Sequence, residues 1–268
     1  MSAAVFIAAI SSDIGRALAQ FYRTQGRVVI GTYRTEQGLE GLRGDPGIHL
    51  LACDLTQPET ISAAARQLAG LALPWDTFIS AVGQLSPIGR FFDCDAAEWA
   101  DAVALNGVAQ LRLLHAIYPC RAPDAMARLA FLVGGGINSP FTNYSAYCLG
   151  KVMLVKMCEL LDDEYPEFHT IAIGTGWVDT KIHRQTIEAG EKAGSNYART
   201  AEFLSAGKKG TTYREIFDCI EWCFAAGRQA TGGRNFSVVH DAWRDGGEGL
   251  KVRLLHDSAM YKLRRHGN

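Results

Sequence analysis

The sequence predicts an α/β fold, a doubly wound parallel sheet of about seven strands in a single domain over residues 1–268. Short continuous apolar runs alternate with segments whose apolar residues recur at helical spacing. That alternation calls for right-handed crossovers and a sheet covered by helices on both faces. Hydrophobic residues make up 48% of the chain and charged ones 21%, a balance that suits a globular domain with a large buried core.

Val5 to Ile10 reads as the first strand and Ile14 to Phe21 as the first helix. Arg27 to Thr32 is the second strand, Thr35 to Leu42 suits a short helix, and Ile48 to Ala52 is the third strand. Thr56 is the candidate N-cap of the next helix, with Pro58 in its first turn, where a missing N–H is tolerated. Trp75 to Ala81 is strand four, Ala96 to Tyr118 one long helix, and Arg128 to Val133 strand five, ended by Gly134-Gly135-Gly136. A helix carrying Tyr147 and Lys151 follows, then His169 to Gly174 as strand six. The alternation then fails. Residues 181–212 are polar and contain glycine, with an amphipathic piece from Thr186 to Ala193. In a doubly wound sheet such an excursion after a late strand lies beside the carboxyl-end crevice, so a substrate lid is expected there. Tyr213 to Ala226 is a helix and Asn235 to Val239 the last strand. Residues 240–268 form a C-terminal extension with Trp243 and Tyr261 among charges, capping either its own site or a neighbour's. Arg264-Arg265-His266 reads as a solvated or subunit-contacting tail.

The formal net charge of −1 gives no electrostatic reason to expect nucleic acid or an anionic membrane as a partner. The apolar run Ala3 to Ile10 lacks a basic leader and passes directly into Ser11-Ser12-Asp13, so it reads as a strand and not as a signal peptide. No apolar stretch reaches membrane-spanning length. The seven cysteines are scattered, and Cys219 and Cys223 have helical spacing without a second pair to complete a zinc site. No metal is expected, and reduced thiols in a cytoplasm are.

Chemistry concentrates in two stretches. Tyr147 and Lys151 stand four residues apart, which on a helix places phenol and ammonium on one face. A fixed cation favours the phenolate of a group whose free pKa is about 10, so a proton can pass nearer neutral pH. Ser11-Ser12-Asp13-Ile14-Gly15, between strand one and helix one, brings free backbone N–H groups and the positive end of a helix to where a phosphate would bind.

Ala8-Ala9-Ile10-Ser11-Ser12-Asp13-Ile14-Gly15 resembles the Thr-Gly-x-x-x-Gly-x-Gly loop of the short-chain dehydrogenase/reductase family, with Ala9 and Asp13 in place of the first two glycines and Gly15 kept. Ala9 adds a methyl group where the backbone turns tightly. Further resemblances follow in family order, from about Val5 to Val239. Asp54-Leu55 resembles the acidic site that contacts the adenine amino group, and Ser80-Ala81-Val82-Gly83 the Asn-Asn-Ala-Gly segment. Asn106 resembles the asparagine that holds a water between the active-site lysine and solvent. Gly174-Thr175-Gly176-Trp177-Val178-Asp179-Thr180 resembles the Pro-Gly-x-Val-x-Thr segment, in which Val178 and Thr180 would flank the nicotinamide carboxamide. The family's serine, about thirteen residues before its tyrosine, is missing: its place is Gly134, and Ser139 or Asn138 is left to meet the substrate carbonyl.

The resemblance implies a Rossmann-like oxidoreductase that transfers hydride between nicotinamide and a carbonyl or alcohol substrate. Tyr147 would give or take the proton, Lys151 would lower its pKa and hold the nicotinamide ribose, and Asn106 and Ser139 would complete the catalytic set. Ser11, Ser12, Ile14, Gly15, Arg34, Asp54, Leu55, Ala81, Gly83, Tyr147, Lys151, Val178 and Thr180 would bind the cofactor. NADP is favoured over NAD, because Tyr33 stands where a carboxylate would accept from a free 2′-hydroxyl and Arg34 beside it suits a 2′-phosphate. The implied partners are a small carbonyl or alcohol substrate and a second copy of the chain, as homodimer or homotetramer. The alternative is a non-catalytic dinucleotide-binding sensor or scaffold subunit of the same fold, which Ala9, the changed Ser80-Ala81 pair and the missing serine favour.

Overall fold

Each predicted strand forms. In a computed structural model that describes residues 3–205 and 210–265, the strands are β1 (Ala4–Ala8), β2 (Val29–Tyr33), β3 (Ile48–Ala52), β4 (Trp75–Ser80), β5 (Ala127–Val133), β6 (Phe168–Gly174) and β7 (Arg234–Ser237). They pair in parallel in the order β3-β2-β1-β4-β5-β6-β7. The chain winds outward from β1 to β3 and then returns to β4, so the topological switch lies between β1 and β4. Ligands of doubly wound sheets bind outside the carboxyl ends of the strands at that point.

The helices are α1 (Asp13–Thr24), α2 (Pro58–Leu71), α3 (Ala96–Asn106), α4 (Val108–Ile117), α5 (Ser145–Glu164), α6 (His183–Ala189), α7 (Ser195–Ser205), α8 (Tyr213–Ala226), α9 (Arg228–Thr231) and α10 (Glu248–His256). Side chains alternate across each strand, so both faces of the sheet bury an apolar layer. Phe6, Phe78 and Phe131 face α2, α4 and α5 through Leu68, Leu113 and Leu154. Val5, Ile7 and Ile79 face α1 and α8 through Leu18, Tyr22, Ile216 and Ile220.

Three local expectations are corrected. Thr35 to Leu42 is a run of turns, not a helix, because Gly38 and Gly41 take positive φ of 87° and 78°. A Cβ at Gly38 would strike the Ser11 carbonyl, so this segment is built to lie against the loop after β1. The helix expected over Ala96 to Tyr118 breaks at Gly107, with φ −130° and ψ −82°, into α3 and α4. There the backbones of α3 and α5 touch: a Cβ on Gly107 would meet Met153 and the Gly150 carbonyl, and one on Gly150 would meet Asn106. Finally, Gln57 and not Thr56 precedes the first turn of α2, because Thr56 turns back to bond the Asp54 carboxylate through both N and Oγ1 (3.0 and 2.8 Å).

The excursion over 181–212 contains α6, a short 3-10 turn and α7; residues 206–209 of it lie outside the described residues. The C-terminal extension returns to its own protomer: Asn235 N donates to the Tyr261 carbonyl (2.9 Å), and Arg234 donates to the carbonyls of Leu254 (2.7 Å) and Asp257 (2.9 Å). Trp243 is buried and donates to the Val238 carbonyl at 3.0 Å. Arg264 pairs with Glu159, while His266 lies outside the described residues. Among the described residues no helix is long and apolar enough to cross a membrane.

Candidate active site

A cavity of about 1130 Å³ opens along the carboxyl ends of the strands. That exceeds the roughly 300–1,000 Å³ of a pocket for one small ligand, so it has room for a cofactor and a substrate together.

One end is built by the loop after β1. Ser12 caps α1, its Oγ accepting from Gly15 N at 3.0 Å. Ser12 N donates back to the Ala9 carbonyl at 3.0 Å, and Ala9 N donates to Thr32 Oγ1 at 3.2 Å. Gly15 does not line the cavity; a Cβ there would strike the Ala9 carbonyl and Ser12 Oγ, so its role is to let this loop close. Ala9 has φ 59°, in the left-handed region that glycine occupies without strain. For alanine that conformation costs on the order of 1 kcal/mol. Ala9→Gly should therefore raise Tm by about 2 °C, less whatever the added freedom of the unfolded chain removes. An unchanged or lowered Tm in thermal unfolding would contradict a strained loop.

Asp13, at the second glycine place, is bonded within the protein: its Oδ2 accepts from Lys181 N at 2.8 Å and its Oδ1 pairs with Arg16 at 3.4 Å. The carboxylate thus ties the first residue of the excursion to the loop after β1. Ser11, Ser12 and Ile14 line the cavity, followed by Arg34, Asp54 and Leu55, then Ala81 and Gly83, with Val178 and Thr180 opposite. Arg34 is exposed and forms no ion pair with any described residue.

The other end is built by α5. Tyr147 and Lys151 are both buried in the cavity wall, with Lys151 Nζ 5.7 Å from the centre of the Tyr147 ring. Lys151 donates to the carbonyls of Val82 (2.7 Å) and Leu132 (2.9 Å), fixing the loop after β4 against the end of β5. Its ammonium has three N–H donors, so one remains for a ligand. Burial pushes the Lys151 pKa down to about 7 and pushes the Tyr147 phenol up. The sequence-based expectation that Lys151 lowers the Tyr147 pKa is corrected for this state: desolvation dominates, and the phenol holds its proton.

Asn106 stands behind the wall and does not line the cavity. Its Nδ2 donates to the carbonyls of Gln84 (2.8 Å) and Ala102 (2.9 Å), and its Oδ1 accepts from Gln84 N at 3.0 Å. Gln110, which carries no sequence signal, binds the Asn106 carbonyl at 2.8 Å and accepts from Ser80 Oγ at 2.6 Å. Ser80 thus replaces the usual asparagine with a different buried network behind the same loop. Ser139 and Asn138 line the cavity but are exposed. At Gly134 the reason for the missing serine is steric: a Cβ there would collide with the Tyr147 hydroxyl.

The excursion covers this end. Tyr144 donates to Thr186 Oγ1 at 2.9 Å, Asn196 to the Thr142 carbonyl at 3.1 Å and Asn143 to the Lys192 carbonyl at 2.9 Å. Gln185 Oε1 accepts from Leu85 N (2.8 Å) and Ser86 N (3.0 Å), and Trp177 stacks on His183 with centroids 5.3 Å apart. The polar composition of the segment suggested an excursion beside the crevice; nothing in it singled out Gln185 or the aromatic stack.

The sheet order brings a helix-capping loop at the switch point and a buried tyrosine–lysine pair to one cavity. A family model described as enoyl-(acyl carrier protein) reductase matches residues 8–216, well over half of the chain. The chain belongs to the short-chain dehydrogenase/reductase family of NAD(P)-dependent oxidoreductases. It is similar to a sepiapterin reductase of Xenopus tropicalis, 26% identical over 65% of this chain and 73% of that one. It is also similar to dehydrogenase/reductase SDR family member 6 of Rattus norvegicus, 23% identical over 75% and 84%. Among solved structures, a short-chain dehydrogenase/reductase of Saccharomyces cerevisiae superposes with a TM-score of 0.81 at 18% identity, covering 91% of this chain and 99% of that one. An actinorhodin polyketide ketoreductase solved with NADPH gives 0.76 at 18% identity, covering 88% and 95%.

Proposed function

We propose that the protein reduces a small carbonyl compound with NADPH, Tyr147 giving the proton. The observation that carries this reading is the burial of Tyr147 and Lys151 on one face of α5 in the wall of the cavity. The residues present fit a nicotinamide dinucleotide: the Ser11–Ile14 loop lets backbone meet a pyrophosphate, Asp54 and Leu55 suit the adenine side, Ala81 and Gly83 a passing ribose, and Val178 and Thr180 the carboxamide. Bound there, the reduced nicotinamide supplies the hydride. The free N–H of Lys151 would hold the nicotinamide ribose, and its two carbonyl bonds keep the ammonium in place. Burial keeps the Tyr147 phenol protonated at neutral pH, which is the form that donates to a developing alkoxide in the reduction. Asn106 acts as a positioning residue through Gln84, and Ser139 is the hydroxyl left to meet the carbonyl oxygen.

Arg34, exposed at the adenosine end without an ion-pair partner among the described residues, supports a 2′-phosphate and hence NADP. Arg34→Ala should weaken NADPH binding about tenfold and leave NADH binding within about twofold, read by nicotinamide fluorescence. Equal losses for both cofactors would remove the phosphate clamp from the account. Assembly as a homodimer or homotetramer in a cytoplasm completes the proposal, with all seven cysteines free. NADPH oxidation with a panel of aldehydes and ketones tests the activity. Tight NADPH binding with no oxidation by any of them would favour the sensor or scaffold reading.

A further inference from the structure

Among the described residues, the lid end of the cavity holds one cation, Arg199, with no internal partner. Most polar side chains that line this end are committed within the protein: Gln185 to Leu85 N and Ser86 N, Thr186 to Tyr144, and Asn196 to the Thr142 carbonyl. Arg199, on α7, lines the cavity and makes no hydrogen bond or ion pair with any described residue. Phe203, four residues on and therefore on the same face of the helix, packs on Trp177 (5.1 Å) and His183 (5.3 Å). That contact anchors α7 and aims the Arg199 face at the cavity. The carboxylates that line the cavity are engaged elsewhere: Asp13 is spent on Lys181 and Arg16, Asp54 accepts from Thr56 N and Oγ1, and Asp241 accepts from Ser237 N at 2.6 Å. Glu188, Glu191 and Glu202 belong to the same excursion but do not line the cavity.

We infer that Arg199 binds an anionic group on the substrate, and that the substrate class is an oxo acid whose carboxylate is held at the lid while its carbonyl faces Tyr147. A guanidinium presents parallel N–H donors that match a carboxylate. One such cation balances a carboxylate, whereas a phosphate dianion calls for a second, and the other basic side chains at this end are engaged within the protein, Lys181 Nζ with the Ser11 carbonyl at 3.4 Å and His183 Nε2 with the Val178 carbonyl at 2.8 Å. The apolar and aromatic walls, Leu85, Phe141, Ile182 and Trp177, would enclose the carbon skeleton between the two polar ends. The carboxylate does not react: hydride adds to the carbonyl carbon and the Tyr147 proton to its oxygen. The inference rests on the carbonyl-reductase reading for its chemistry, but not for its binding.

The test uses the full chain with NADPH and the aryl oxo acids benzoylformate, benzoylpropionate and benzoylbutyrate, each against its methyl ester. At least one acid should exceed its ester in kcat/KM by about tenfold at low salt, with the ratio falling as salt rises. Arg199→Gln should lower that ratio about tenfold through KM, and Arg199→Lys should lower it less. Acids and esters used alike, or an acid preference that survives Arg199→Gln, would overturn the inference. A second readout, quenching of tryptophan fluorescence by the acids, separates it from the activity. Quenching that depends on Arg199 without turnover leaves the anion site standing and removes the reductase reading. The absence of both turnover and Arg199-dependent quenching would overturn the anion site.

Discussion

Tyr147→Phe should lower turnover by about a thousandfold while the protein still folds and still binds NADPH. Proton donation by a positioned side chain is worth roughly 10²- to 10⁴-fold, and no other hydroxyl shares the buried face of α5 with Lys151. The substitution is structurally mild. The ring is buried, and among the described residues its hydroxyl makes no hydrogen bond, so removing it strands no partner. Tm should therefore hold or rise slightly. The check is NADPH oxidation beside a cofactor titration on the same preparation; turnover within a few-fold of the parent protein would remove Tyr147 from the mechanism.

Gly134→Ala should also lower kcat at least a hundredfold, and Gly134→Ser should not rescue it although it restores the family's hydroxyl. A Cβ at this position collides with the Tyr147 oxygen, so either the phenol is displaced from the cavity or the end of β5 moves. Displacing a proton donor by about 1 Å is enough for a loss of that order. Overpacking of this kind typically costs about 1–3 kcal/mol in stability. Because the collision is with the hydroxyl, the stability loss should shrink when Gly134→Ala is combined with Tyr147→Phe, a coupling that a double-mutant thermal cycle reads directly. Additive losses would show that the collision lies elsewhere, and a more active Gly134→Ser would show that the tyrosine does not occupy that space.

The strands, and the placing of Tyr147 and Lys151 on one helix face, were legible in the sequence because each rests on a local signal. A strand buried on both faces is a continuous apolar run, and Tyr147 and Lys151 share a helix face by spacing alone. What was not legible depends on backbone meeting backbone across the fold. Gly107 breaks the long helix because α5 lies against it at Gly150, and Gly38 opens the expected helix after β2 because Ser11 lies beneath it. Neither contact leaves a mark in its own segment. The shift of the Tyr147 pKa was misjudged for a similar reason: spacing reveals the neighbouring cation but not the depth of burial, and here burial dominates. Gly134 looked like a loss in the sequence and is a fit in the structure, since the tyrosine hydroxyl occupies the space that a serine side chain would need.

The central claim is that the loop after β1, with Ala9 and Asp13 in place of glycines, still holds a nicotinamide dinucleotide against Tyr147 and Lys151. The direct measurement is a titration of the purified protein with NADPH and with NADH, following nicotinamide fluorescence and tryptophan quenching. The account predicts saturable binding of NADPH at micromolar concentration and binding of NADH at least tenfold weaker, set by the charge-assisted contact of Arg34. No saturation by either nucleotide at millimolar concentration would contradict it, because the strained Ala9 turn would then have closed the site to the cofactor on which every later step depends.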